Sequence, residues 1–399
     1  MTENNISTIK LKRLLISHNL LVAGRFFFEI FLSVFIWKQT GSLSLVAWFN
    51  IVYLMLHTIA FTGFAGLVKK GKVHLIRKSA LIGYTFVYFM TFLLGENAIN
   101  HVLLIAFGIG VFNGMYWISY QTLRFDLTHS RNRGNYTGIE NSGKLAIGII
   151  MPPLGGAIVV ADYFGLGYSN IFLLGAFLFL LSYFIGNVNL PVHETSGFHF
   201  WDTFRVIRKN KDIMKSMYAY IFSSFSRGGT IARLLIPLLI FDVLKNEFHM
   251  GGWLSFFSVV AIFSSLTFGK LIDYKHYKGF ILAGGIIYFL LILSLICFPS
   301  FTVYIVFGAL IKVIEIFIAI PKRVISENLI HSIADFKNHR VEYIAIREWF
   351  NIAFGRVSSF IVLLTAGGLI MSQMSVALFF MALGILAEIF LLRSIKTNI

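Results

Sequence analysis

Apolar runs of about twenty residues alternate with short polar stretches twelve times along the chain. The runs fall at residues 14–37, 43–68, 79–94, 102–123, 139–161 and 171–190, then at 217–241, 253–271, 280–298, 302–320, 346–371 and 376–392. A helix rises about 1.5 Å per residue, so runs of this length match about 30 Å of hydrocarbon and predict membrane-crossing helices. Runs three and twelve are short, and are expected to extend into their basic flanks with charged heads reaching the surface. The first run follows Lys10, Lys12 and Arg13 and so imitates a signal peptide, but it continues to Trp37 without a small-residue cleavage site. It reads as a first span.

The pattern also repeats at half length. Residues 133–148 read RGNYTGIENSGKLAIG, and 207 positions further on residues 340–355 read RVEYIAIREWFNIAFG. Arg133 falls on Arg340, Tyr136 on Tyr343, Ile139 on Ile346, Ala146 on Ala353 and Gly148 on Gly355. In both copies a basic, polar turn is predicted to run into a long apolar helix with charge in its first turns. Internal repeats of this kind are common in transporters. The expected domains are a six-helix bundle over 1–190, a cytoplasmic linker over 191–215 and a second six-helix bundle over 216–399. Within the linker, Phe200, Phe204 and Ile207 share one helical face while Arg205, Arg208, Lys209 and Lys211 cover others. That suits a short amphipathic helix on the inner leaflet.

Composition narrows the class. The chain is 57% hydrophobic and 13% charged, with mean hydropathy +0.79, values that belong to an all-α polytopic membrane protein rather than a soluble domain. The net charge of +16 does not imply nucleic acid, because the charges lie in short clusters between apolar runs and form no basic domain. With the N-terminus inside, 25 of the 34 Lys and Arg residues fall in cytoplasmic stretches and only Lys38 and Lys245 fall outside. This asymmetry predicts a multi-pass protein of the cell (inner) membrane with both termini cytoplasmic. The single cysteine, Cys297, excludes a disulfide framework and a cysteine-based metal cluster. No P-loop, HExxH or dinucleotide fingerprint occurs, so neither an ATP-driven pump nor a soluble-type enzyme is expected. No cofactor or metal is expected either. The expected partners are a small-molecule substrate and the lipid bilayer, with the protein monomeric.

Two six-helix halves joined by a basic central loop resemble the major facilitator superfamily (MFS) of secondary transporters. The most specific local match is GKLIDYKHYK, residues 269–278, which is similar to the family's loop signature at Gly269, Leu271, Asp273 and Lys278. The resemblance implies that Asp273 stabilises one conformational state, with Gly269 and Lys278 as further gate residues; Arg133 and Arg340, aligned by the repeat, are read as gate residues too. The corresponding first-half loop, residues 63–72, keeps glycine and basic residues but has Lys69 and Lys70 and no Asp. PPLGG, residues 152–156, is similar to part of a fifth-helix motif of family antiporters.

With Lys270, at the edge of the eighth run, counted in the following loop, seven cations lie inside predicted spans: Arg25, Lys144, Arg227, Arg233, Lys312, Arg347 and Arg356. Each costs about 2.5–3.5 kcal/mol near the bilayer centre on insertion scales, which pairing, a wet cavity or a ligand must offset. The acids available are Glu29, Glu140, Glu315, Glu348 and Glu388. Arg25 and Glu29 are spaced i, i+4 and Lys312 and Glu315 i, i+3, so each pair shares a helix face. Spans three, six and nine carry no charge away from their ends; the resemblance places these helices outermost and has one, four, seven and ten line the cavity. Glu388 on the twelfth span stands outside this pattern. The predicted substrate-binding residues are Arg25, Asn113, Tyr116, Arg227, Arg233, Lys312 and Arg356. Arg25, Arg227 and Lys312 are expected to converge on one chamber, and Glu29 and Glu315 are the proton-coupling candidates. His57 reads as a packing residue or a titrating group.

The function expected is secondary transport of a small solute by alternating access. Because central cations outnumber acids, the solute is expected to be anionic or zwitterionic and its transport proton-coupled. Three alternatives remain: a proton-coupled exporter of amphiphiles, a non-transporting receptor or scaffold, and a membrane acyltransferase built on His331 and Asp335.

Overall fold

The computed structural model describes residues 3–127, 130–162, 165–187, 197–227, 230–268, 276–331, 336–365 and 371–395. Among them the regular structure is all helical, without a strand. The first span is α1 (Glu3–Phe26), which continues through a π-helical segment (Phe27–Leu32) into α2 (Ser33–Thr40). Then follow α3 (Leu43–Leu67), α4 (Val73–Leu94), α5 (Val102–Leu127), α6 (Ser130–Ala161) and α7 (Tyr168–Ile185). After a short α8 (Phe200–Lys209), the seventh span comprises α9 (Lys211–Ser226), a π-helical segment (Thr230–Leu235) and α10 (Ile236–Leu244). Next come α11 (Glu247–Phe268), α12 (Tyr277–Cys297) and α13 (Phe301–His331). The eleventh span is α14 (Phe336–Glu348), a π-helical segment (Trp349–Arg356) and α15 (Val357–Leu364), and the twelfth is α16 (Met371–Ser394). Among the described residues, each of the twelve predicted runs thus falls on a helical span.

The chain divides into two units, one of Met1–Phe35, Met55–Phe198 and Asn246–Ser255, the other of Ile36–Leu54, His199–Lys245 and Phe256–Ile399. In the first unit α1 packs on α6 and α7, while α4 lies against α5 and α7. In the second unit α9 packs on α16 and on the π-helical segment of span eleven, while α12 lies against α13 and α16. Spans one, three, four and six therefore pair as do spans seven, nine, ten and twelve, and the sequence repeat is also a repeat of packing. On α4 the residues Ile82, Phe86, Phe89 and Leu93 are exposed, and on α7 Leu173, Phe177, Leu180 and Phe184. Both sets follow the spacing of one helix face, an apolar stripe that water would not tolerate and lipid does.

Three local expectations change. The third span does extend into its basic flank, but Arg77 does not reach for the surface. It is 1% exposed, bonded to the Gly186 carbonyl and, at 3.3 Å, to Ser17 Oγ. The turn expected before the fifth span is helical, because α6 begins at Ser130; Glu140 and Lys144 are therefore well inside a helix. The amphipathic α8 forms as read, yet Ile207 belongs to a core cluster with Ile213, Met217, Tyr343, Ile346 and Phe350, and Phe200 and Phe204 pack against it. The face carrying Phe200, Phe204 and Ile207 is covered by protein, and Trp201, 69% exposed, and Val206 are the apolar residues that α8 presents outward.

PPLGG acquires a packing role within the first unit. Pro153 has no N–H to donate to the Ile149 carbonyl four residues earlier, and Ser255 Oγ of α11 donates to that carbonyl at 2.8 Å instead. The two backbones meet closely here. A Cβ on Gly156 would lie 2.4 Å from the Glu247 carbonyl oxygen, and one on Gly251 would lie 2.3 Å from that of Pro152. Small residues let helices approach to this degree. Gly252, next in sequence, would meet nothing within 4 Å. The expected outcome is that Gly251→Ala lowers the thermal stability of the purified protein, by the ~1–3 kcal/mol usual for overpacking, whereas Gly252→Ala does not. Equal behaviour of the two variants in a thermal melt would refute the contact.

Candidate functional site

Polar side chains inside the first unit gather around one carboxylate. Glu140 of α6 is 1% exposed and accepts hydrogen bonds from Lys144, one turn along, and from Arg124 Nη1 of α5 at 3.3 Å. Facing it from α1 is His18, wholly buried, with Nε2 3.5 Å from Glu140 Oε1. The His18 ring lies flat on Tyr120, centroids 3.7 Å apart, and its Nδ1 is 3.0 Å from Tyr116 Oη. Tyr120 Oη in turn meets Tyr136 Oη at 3.1 Å. Trp117 stands edge-on to His18, with Arg25 Cζ 5.5 Å and Lys144 Nζ 5.9 Å from its ring centre. These distances allow cation–π attraction. Arg25 also pairs with Glu29 at 2.5 Å, as the i, i+4 spacing predicts.

The second unit has a carboxylate of the same kind. Glu388 of α16 is 0% exposed and receives a fork of two hydrogen bonds from Arg227, Nε to Oε2 at 2.9 Å and Nη2 to Oε1 at 2.5 Å. Such bidentate pairing is the strongest arrangement open to a guanidinium and a carboxylate. Arg227 Nη2 also donates to Ser223 Oγ at 3.1 Å. Lys322 of α13 donates to the same hydroxyl at 2.5 Å and approaches Glu388 Oε1 to 3.8 Å. Its ammonium lies 4.8 Å from the Tyr220 ring centre, and Arg347 Cζ lies 6.0 Å from it. Arg347 is the repeat counterpart of Glu140, so both copies of the repeat place a charge at this position of their helix.

The predicted site residues distribute over both units. Arg25, Glu29, Asn113 and Tyr116 belong to the first, and Arg227, Arg233, Lys312, Glu315, Arg340 and Arg356 to the second. Asn113 is buried, accepting from Tyr84 Oη at 2.7 Å and lying 2.8 Å from His57 Nδ1. Lys312 and Glu315 are partly buried, and among the described residues neither makes an ion pair or hydrogen bond. Arg233 is exposed and Arg356 partly buried, each in or at the end of a π-helical segment. Interruptions of this type often mark functional positions in helices. Of the gate residues, Lys278 is exposed at the start of α12 and Arg340 is partly buried in α14. Gly269 and Asp273 lie outside the described residues, as do residues 332–335 of the His331–Asp335 pair, and the side chains of Arg133 and His331 are not described. In the first-half loop, Lys69 Nζ donates to the Gly197 carbonyl at 3.1 Å, and Gly71 turns the chain at φ +78°.

Sequence reasoning missed His18, Trp117, Tyr120, Arg124, Ser223, Tyr220 and Lys322 as members of these clusters. Arg124 and Lys322 read as loop cations because each follows the end of an apolar run. The Glu140–Lys144 spacing of i, i+4 was the available signal for the first cluster. No local signal links Arg227 to Glu388.

Comparison with known proteins accords with this architecture. The family model of the Major Facilitator Superfamily matches residues 14–328. The chain belongs to that superfamily. It is 27% identical over 357 residues to a Bacillus subtilis (strain 168) protein described as "Uncharacterized protein YqgE", covering 89% of this chain and 82% of that one. Among solved structures, a bacterial homologue of the human lysosomal transporter Spinster, inward-facing and unoccupied, superposes with a TM-score of 0.72 at 12% identity, over 98% of this chain and 97% of the other. The nucleoside transporter NupG gives 0.71 at 12% identity, over 98% and 100%. At these identities the likeness is one of fold. The protein is a multi-pass membrane transporter with twelve spans in two six-helix bundles, and secondary transport is its activity.

Proposed function

We propose that the transported solute is a small anion or zwitterion and that its movement is coupled to protons. The observation that carries this reading is Lys312, a cation in the middle of α13 that makes no ion pair or hydrogen bond among the described residues. A lysine within a span costs about 2.5–3.5 kcal/mol unless something compensates it. An anionic ligand supplies that compensation and would bind more tightly for doing so. Arg25, Arg233 and Arg356 are the other cations assigned to the solute. Arg227 is paired with Glu388, and Asn113 and Tyr116 are buried in side-chain hydrogen bonds, so in this state they are engaged within the protein. Glu29 and Glu315 are the carboxylates assigned to proton exchange: neither is fully buried, and each lies within one turn of a cation on its own helix. Solute binding to that cation would change the carboxylate's proton affinity through ordinary charge coupling.

The same reading places both termini and Lys209 on the cytoplasmic side, as the distribution of Lys and Arg requires. A cysteine introduced at Gly41 should then react with an impermeant reagent added to intact cells, and one at Lys209 should not. The reverse pattern would overturn the orientation. For the solute, anionic members of a metabolite library should raise the melting temperature of the purified protein while neutral analogues leave it unchanged. Lys312→Gln should abolish that shift with little change in the ligand-free melt. Stabilisation by neutral compounds alone, or an undiminished shift in Lys312→Gln, would remove the anionic assignment.

A further inference from the structure

His18 takes no part in the solute site. It is wholly buried on α1, its Nδ1 is held by Tyr116 Oη at 3.0 Å, and Tyr120 covers one ring face. Its Nε2 has no hydrogen-bond partner among the described residues, yet faces the Glu140 carboxylate from 3.5 Å. Beside it, Asn19 Oδ1 is buried and also without a partner, and the Asn19 side chain lies against Gly143 of α6. Buried polar atoms normally find partners, so two orphans on adjacent residues facing the same helix ask for an explanation.

We propose that His18 and Glu140 together form a proton-binding site, separate from Glu29 and Glu315, that couples protons to the transport cycle. A neutral ring that donates its Nδ1–H to Tyr116 Oη keeps the Nε2 lone pair toward Glu140. Uptake of one proton at Nε2 gives an imidazolium that donates to Tyr116 Oη on one side and to Glu140 Oε1 on the other. The orphan is then satisfied, and loss of the proton restores the starting state with no other bond changed. A centre of this kind must be read with every charge around it. Arg25 and Glu29 stand on its own helix, Arg124 with Tyr116 and Tyr120 on α5, and Tyr136, Glu140 and Lys144 on α6. From α4 comes Arg77, bonded to Ser17, and α7 brings Ser182 to Ser17 on the other side of α1. Cations outnumber acids in this set, so a positive charge on His18 is tolerated only while Glu140 remains ionised and close. Movement of α6 relative to α1 would separate Nε2 from the carboxylate and expel the proton. That dependence on geometry is what a coupling site requires.

The proposal rests on the transporter reading but not on the charge of the solute, and its test uses no solute. Trp117 packs edge-on to the His18 ring, centroids 5.5 Å apart, so its emission should be quenched when the imidazole is protonated. In a variant that keeps Trp117 and replaces the other five tryptophans by Phe, emission should fall reversibly as pH is lowered, and His18→Gln should abolish the response. Tyr116→Phe keeps the ring but removes its Nδ1 partner, so it should retain the response with a displaced midpoint; this keeps the test open if His18→Gln does not fold. Spin-label distances between helix ends should change their populations over the same pH range and lose that dependence in His18→Gln. A flat Trp117 profile, a response that survives in His18→Gln, an unmoved midpoint in Tyr116→Phe, or distances indifferent to pH would each overturn the proposal. None of these results bears on whether an anion stabilises the protein, so failure here and failure of the solute assignment are separable.

Discussion

The structure depends on placing charge where the surroundings hydrate it poorly. A buried ion keeps its charge only if an opposite charge and enough hydrogen bonds replace the water it has lost. In each unit a buried carboxylate serves two cations from the protein. Glu140 holds Lys144 and Arg124, and Glu388 holds Arg227 with Lys322 nearby. The pairings with Arg124, Arg227 and Lys322 draw together helices that hydrophobic burial alone would leave free to slide, since lipid tails compete with apolar side chains on nearly equal terms. Glu140 ties α6 to α5; Glu388 ties α16 to the end of α9 and to α13.

The backbone answers to the same constraint. Pro153 breaks the ladder of α6, and Ser255 repairs it from α11, next to glycines that allow the backbones within van der Waals reach. Spans one, seven and eleven each pass through a π-helical segment, and Glu29, Arg233 and Arg356 lie in these segments. A wider turn alters the direction of the side chains that follow it, which is one way to bring a charge out of a lipid-facing register. The lipid-facing stripes of α4 and α7, by contrast, keep uninterrupted helical spacing.

Much of this was legible in the chain because its information is local. Spans follow from apolar length, the repeat from a fixed offset, and the Arg25–Glu29 pair from i, i+4 spacing. Hydropathy also marked where each run of apolar residues stops, but it could not say that α5 and α13 go on as helices beyond that point. Arg124 and Lys322 were therefore read as loop charges although both pair with buried carboxylates, and Arg77, expected at the surface, is drawn into protein. Glu388 seemed out of place because its partner, Arg227, is 161 residues away and only tertiary packing joins them. His18 left even less trace: a lone histidine in an apolar run has no periodicity to betray it. Its meaning comes from three aromatic residues on α5 and an acid on α6, none adjacent to it in sequence.

The claim that one carboxylate organises each unit is tested most directly by the coupling between Arg227 and Glu388. Thermal and denaturant unfolding of the purified protein would be measured for Arg227→Met, for Glu388→Leu and for the double variant. Removing either partner alone strands a buried charge and should cost about 3–5 kcal/mol, whereas removing both should restore most of the loss. A coupling energy of about 3 kcal/mol or more is the predicted result. Additive losses, with the double variant as unstable as the two single effects combined, would contradict the account.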